Sequence, residues 1–194
     1  ITHGYRGGWD VMGPERELTH AEGNVLYSLD GQPALTLYKK YLGERAADLP
    51  RSGLLFPLEI SNDSEKDEPT LRGILSVNEA DNSIAFSGNI PQGGRARLMR
   101  ANFERLIDGA ADAAGQLDFD DYAGGPLLTV AISCVARRLV LTQRTEEEVE
   151  ALFDGLPAYS NMIGFYSYGE LSPLASGRCD LHNQTMTLTS FWER

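Results

Sequence analysis

In "GFYSYGELSP" (Gly164 to Pro173) and "LHNQTMTLTSF" (Leu181 to Phe191), groups capable of chemistry stand where two apolar, strand-like runs end: Tyr166, Tyr168, Glu170, His182, Asn183 and Gln184. Glu170 follows a glycine and precedes Pro173, so it can accept backbone N–H bonds in a turn. It can equally face a pocket as an anion for a ligand ammonium or hydroxyl. Tyr166 and Tyr168 are two apart and share one face of a strand. Two rings beside a carboxylate suit a cationic or amphipathic small molecule, or they are core tyrosines with satisfied hydroxyls. Arg178 offers a guanidinium for a ligand carboxylate, as Glu170 offers an anion for an ammonium. The ligand-binding set read from these residues is Tyr166, Tyr168, Glu170, Arg178, His182 and Asn183.

His182 admits other uses. With Cys179 it makes a C-x-x-H spacing, half of a zinc site, but the other half is missing because His3 and His20 are distant in sequence. A Cys179–His182 catalytic dyad needs an orienting third group and an oxyanion hole, neither of which the sequence announces. A haem pocket needs a neutral imidazole, apolar walls and basic groups near the propionates. His182 with Met162, Phe165, Phe191 and Arg178 meets that description, with His3 as a second ligand. No C-x-x-C-H occurs, so covalent haem attachment is excluded. The expectation is therefore no metal and no cofactor, with haem on His182 as the alternative. A fourth use is bland: the histidine, Asn183 and Gln184 bond strand-end backbone.

The elements that position these groups read as follows. Residues 1–30 are a turn-rich lead-in containing Gly4, Gly7, Gly8, Gly13 and Pro14. "DGQPALTLYKKYLG" is punctuated as a helix: Asp30 can cap, Pro33 suits the first turn and Gly43 the exit, with Leu35, Tyr38 and Leu42 on one face. "GLLFPLEIS" reads as an edge strand because of Pro57, and Ser61 to Thr70 as an exposed, mobile loop. "LRGILSV" and "SIAFSG" form a hairpin around "NEADN". From Leu98 to Leu117, Phe103, Leu106, Ile107, Ala110, Ala114 and Leu117 recur at helical intervals. Arg95, Arg97, Arg100 and Arg105 then mark its solvated face. Leu127 to Val135 reads as a strand covered on both faces. Thr145 and Glu148 form a capping box for a short helix. The order predicts an α+β domain with a largely antiparallel or mixed sheet and helices packed against it.

The chain has 194 residues, 42% hydrophobic and 23% charged, enough for one sizeable core. Its net charge of −11 argues against nucleic acid, which needs a basic stripe. No apolar run is long enough to span a membrane. Cys134 lies in an apolar run, so a reduced, cytoplasmic protein is expected rather than a disulfide scaffold. Ile1 stands where a start methionine would, which suggests a piece of a longer protein.

The two quoted runs closely resemble the closing signature of the FIST family, a sensory module of intracellular signal transduction. "ISCVARRLVL" with "EEEVEALF" resembles the stretch that precedes that signature, and "DGQPALTLYKKYLG" the start of the family's C-terminal half. The resemblance implies a C-terminal FIST domain over residues 31–194, with residues 1–30 as a remnant of the N-terminal half. It implies ligand sensing rather than catalysis, beside a histidine kinase or another signalling output domain. Amino acids and related metabolites are the proposed ligands of the family, and a subset resembling nitric-oxide sensors binds haem. A non-catalytic interaction module, with an exposed sheet edge used for homodimerisation or docking, is the remaining alternative.

Overall fold

The computed structural model describes residues 1–62, 68–174 and 177–193. The central part of the loop expected to be mobile, 63–67, lies outside the described residues. In chain order the strands and helices are β1 (Thr2–Arg6), β2 (Asp10–Val11), β3 (Arg16–Glu22), β4 (Val25–Leu29), β5 (Gln32–Pro33) and α1 (Ala34–Leu42). Then come β6 (Leu58–Ser61), β7 (Thr70–Arg72), β8 (Ile74–Asn78), β9 (Ser83–Phe86), β10 (Arg95–Arg100) and α2 (Phe103–Gly115). The chain closes with β11 (Leu127–Cys134), α3 (Val135–Leu141), α4 (Thr145–Asp154), β12 (Asn161–Ser167), β13 (Glu170–Pro173), β14 (Cys179–His182) and β15 (Met186–Trp192). The class is α+β, as the sequence predicts. Among the described residues, no helix is long and apolar enough to cross a membrane.

The single core expected from chain length is replaced by two compact units, Asp10–Arg100 and Ile1–Trp9 with Ala101–Arg194. In the first, an antiparallel sheet runs β7-β6-β10-β3-β4-β9-β8, with β2 on β10 and β5 on β4. Its outermost strands, β7 and β8, are separated in sequence by Gly73 alone, so the sheet must curl until its edges meet. Ser87 N donates to Gly73 O at 2.9 Å and Gly73 N to Ser87 Oγ at 3.0 Å, extending the β8–β9 pairing to the glycine that links the two edges. Helix α1 follows its punctuation: Pro33 precedes it, Gly43 ends it at φ 58°, and Leu35, Tyr38 and Leu42 are buried. Asp30 does not cap it; it sits at φ 50° in the β4–β5 turn and accepts from Glu17 N at 2.8 Å.

Two sequence readings change here. Of the arginines expected on a helix face, Arg105 lies on α2, but Arg95, Arg97 and Arg100 sit on β10, where period-two alternation buries Ala96 and Leu98 and turns Arg97 toward Glu15 at 2.9 Å. The helix begins only after Asn102, whose side chain accepts from Arg105 N. Residues 1–30 are not a loose lead-in either, for β1, β3 and β4 are built into the two sheets.

The second unit holds the candidate site. Its sheet runs β1-β15-β11-β12, with β11 and β12 parallel and the other pairs antiparallel. One face packs Met186, Leu188 and Ala131 against Ala110, Ala113 and Ala114 of α2 and Leu152 of α4. The small residues of α2 let it lie close. A Cβ on Gly4 in β1 would stand 2.1 Å from Ala113 O. Gly4→Ala should therefore destabilise by about 1–3 kcal/mol in urea denaturation; wild-type stability would mean that α2 lies further from the sheet. The opposite face is open: Leu128, Ile163, Phe165 and Phe191 remain substantially exposed. β11 is central, as expected, but covered on one face and not on both.

Candidate functional site

Strands β11 and β12 end side by side, at Cys134 and Ser167. After Ser167 the chain turns through Tyr168 and Gly169 into β13, which folds back as β14, with Glu170 directly opposite His182. Asn183 and Gln184 then turn the chain into β15, Gln184 at φ 56°. The turn is pinned by backbone: Cys134 N donates to Thr185 O at 3.1 Å, Trp9 Nε1 to Gln184 O at 3.0 Å, and Thr185 Oγ1 to Asn183 O at 2.9 Å. Gly169 keeps the turn tight, since a Cβ there would meet Leu181 Cδ1 at 3.1 Å.

Glu170 is buried, 1% exposed. Ser167 Oγ donates to its Oε1 at 2.9 Å, while Oε2 makes no hydrogen bond of ordinary geometry. Burial pushes the carboxyl up to about 7; the Ser167 hydroxyl, the Thr185 backbone, the Cys134 thiol and the more distant Arg137 charge oppose that rise without cancelling it. Cys134, buried and facing the carboxylate, is pushed up to about 11, first by burial and then by the Glu170 charge. It is thus a thiol rather than a thiolate nucleophile. Asn183 Oδ1 and both amide atoms of Gln184 are likewise buried without partners. Unpartnered polar atoms of this kind are uncommon in folded interiors, where water or a bound molecule normally satisfies them.

Of the residues proposed from sequence, Glu170, His182 and Asn183 are brought together and are all nearly inaccessible. Tyr166 belongs to a neighbouring network: its hydroxyl donates to Glu148 Oε2 at 3.4 Å and its ring lies 5.3 Å from the Arg138 guanidinium. Burial, then the Glu148 charge, pushes its hydroxyl up to about 12. Tyr168 is 90% exposed beyond the end of β12, so the two rings do not share a strand face. Arg178 is exposed at the far end of the hairpin, paired with Asp180 at 3.1 Å. Three residue pairs stand between that end and Glu170, about 13 Å along a strand. The two charged groups of an α-amino acid, one carbon apart, cannot bridge Arg178 and Glu170.

The network at Tyr166 centres on Arg137, which is fully buried. Its Nε donates to Glu148 Oε1 at 2.6 Å, Nη2 to Leu106 O at 2.7 Å and Nη1 to Gly7 O. Ser133 Oγ donates to Glu148 Oε2 at 3.3 Å. Glu148 is therefore an ion-pair partner and not half of a capping box; Thr145 Oγ1 turns instead to Thr142 O. Ser133 precedes Cys134, so this pair fixes the strand end on which Glu170 rests. Cys134, Ser167, Gln184 and the Arg137–Glu148 pair were not in the set read from sequence. Gln184 stood beside that set as a backbone-bonding amide, and Cys134 at the end of an apolar run, with two arginines three and four residues on, was the signal for the others.

His182 does not fit a haem. Its Nε2 is 3.3 Å from Ser172 O, a carbonyl that only accepts, so that nitrogen carries the proton. The Tyr5 ring covers it at 4.6 Å and only 3% of the residue is exposed, leaving no face for an iron. Cys179 and His182, three apart on β14, point to opposite faces, one exposed and one buried, as strand alternation requires. No cluster of three or more His, Cys, Asp or Glu able to hold a metal occurs among the described residues.

Against known proteins, a family model described as the FIST C domain matches residues 34–173. The matched segment begins at α1 and ends with β13, so β14 and β15 lie beyond it. Neither the curated proteins nor the solved structures contain a match.

Proposed function

We propose, from the premise that this chain belongs to the FIST C domain family, that it is the small-molecule-binding part of a signal-transduction protein, non-catalytic and cytoplasmic. Its partner is a signalling output domain or histidine kinase. The ligand is an amino acid or a related aminated metabolite, received by Glu170, Asn183 and Gln184. One observation carries the reading: at two turns of chain around one strand end, Glu170, Asn183 and Gln184 hold four nearly inaccessible polar atoms that make no hydrogen bond of ordinary geometry. An ammonium or amide N–H fits Glu170 Oε2 and Asn183 Oδ1, and Gln184 offers both a donor and an acceptor. Ligand sites in open sheets also favour the carboxyl ends of parallel strands, the position of Cys134 and Ser167 in β11 and β12.

Because Glu170 is closed from solvent, entry requires the Tyr168–Gly169 turn or the β13–β14 hairpin to swing aside. Binding thereby couples to a movement that an output domain can read. The test is calorimetry at pH 8 with a panel of free amino acids and small amines. A charge-assisted hydrogen bond is worth about 1.5–3 kcal/mol, so Glu170→Gln should weaken the best ligand by about 10- to 100-fold. Equal affinity for variant and parent removes Glu170 from the site, and no binding across the panel overturns the aminated-ligand reading.

A further inference from the structure

The two edges of the four-stranded sheet are treated differently. At β1 the Gln116 side chain closes the edge: Oε1 accepts from Tyr5 N at 3.0 Å and Nε2 donates to Tyr5 O at 3.0 Å. Thr2 Oγ1 accepts from Asp118 N at 2.9 Å on the same side. At the other edge, among the described residues, β12 pairs with β11 alone. Its register there is unbroken by any bulge, and "NMIGFYS" contains neither a charge nor a proline. Natural sheet edges are normally guarded by one of those devices. Here Ile163 and Phe165 stand 63% and 59% exposed beside a bare row of backbone donors and acceptors.

The order of residues in that strand says what pairs with it. Asn161–Ser167 is a mirror of its own polarity about Gly164: polar, apolar, apolar, glycine, apolar, apolar, polar. An antiparallel copy centred on Gly164 sets Ile163 opposite Phe165 and Met162 opposite Tyr166, with Asn161 opposite Ser167. Aliphatic–aromatic and sulfur–aromatic pairs are favourable cross-strand neighbours. The chain carries a net charge of −11, yet this contact opposes no like charges. Shifting the register by one residue would bring polar groups against the apolar pairs, so the centred alignment is the one the sequence selects.

We propose that β12 is a dimerisation edge, pairing antiparallel with β12 of a second copy about a twofold axis through Gly164. Two four-stranded sheets become one of eight strands, an isologous contact of the commonest kind in homo-oligomers. The rows Val130–Ile163 and Ile132–Phe165, half-buried on β11 and exposed on β12, continue across the junction. Gly164 itself is held by intrachain packing, since a Cβ there would lie 2.4 Å from Ala131 O, and it is left unsubstituted.

The test is sedimentation of the chain over about 1 µM to 1 mM, beside Ile163→Lys, Phe165→Lys and the control Leu171→Lys on the hairpin, where the side chain is 72% exposed. The expected result is a reversible species of twice the 21.3 kDa chain mass, retained in the control and lost in both edge variants. Ile163→Cys/Phe165→Cys in a Cys179→Ser background should form a reducible dimer, because facing residues in an antiparallel pair stand at disulfide distance. A chain that stays monomeric throughout overturns the proposal. So does a dimer indifferent to both lysines, or a double-cysteine variant that never cross-links.

Discussion

Arg137→Met is expected to lose about 3–5 kcal/mol of unfolding free energy, the usual effect of leaving one member of a buried ion pair behind. Arg137 and Glu148 are both wholly inaccessible, and the guanidinium also serves Leu106 O and Gly7 O. Removing it strands a carboxylate and two carbonyls together. Arg137→Lys should fare only partly better, because a single ammonium cannot copy a planar fork aimed at three acceptors. The double variant Arg137→Met/Glu148→Leu should recover much of the loss, the two carbonyls still lacking donors. Urea denaturation of the four members of this cycle gives the coupling directly. A loss below about 1 kcal/mol in Arg137→Met would mean that water reaches Glu148 and that the pair is not dry.

Why Glu148 was misread from sequence shows where local reasoning stops. Thr145 followed three residues later by a glutamate is a sound local signal for a capping box. The pairing that displaces it comes from α3, and only the packing of α3 beside α4 brings the two together. The arginines around β10 fail for a related reason. Their spacing suits a helix face as well as a strand edge, and only neighbouring strands decide which. The glycines of the first residues suit turns by their composition, whereas Gly4 and Gly8 are places where backbone approaches α2 too closely for any Cβ. Helix α1 was legible because its signals, Pro33 and Gly43, act within the element they bound.

The candidate site divides along the same line. Glu170, His182 and Asn183 were legible because a strand end followed by a tight return places its flanking residues together whatever the surrounding fold. Tyr168 and Arg178 belong to the same stretch, but the path of two turns takes them into solvent. Cys134 reaches Glu170 only because β11 and β12 run parallel and finish level, a long-range pairing that no local pattern encodes.

Glu170→Gln is expected to make the protein more stable at pH 8 and almost no different at pH 4. Burial, as the first cause, pushes the folded carboxyl up to about 7 from its ordinary value of 4.5. A group raised in this way binds its proton more tightly in the folded state, so its contribution is complete below the unfolded value and is lost as pH rises through the folded one. Unfolding free energy of the parent should therefore fall between about pH 4.5 and 7 and then level off. The raised carboxyl accounts for about 3 kcal/mol of that fall. Glutamine copies the neutral acid, so its stability profile should be flatter over that window. Chemical denaturation at a series of pH values reads both curves; parallel curves would mean that water keeps Glu170 ionised in the folded protein. A bound ammonium should reverse the sign of the difference, because it stabilises the anion and can offer nothing comparable to the amide. Ligand affinity should then rise with pH through 7 and bring proton release below it, visible as a buffer-dependent binding enthalpy. On the proposed reading, the strain of an ionised Glu170 is what would give an aminated ligand its leverage over the fold.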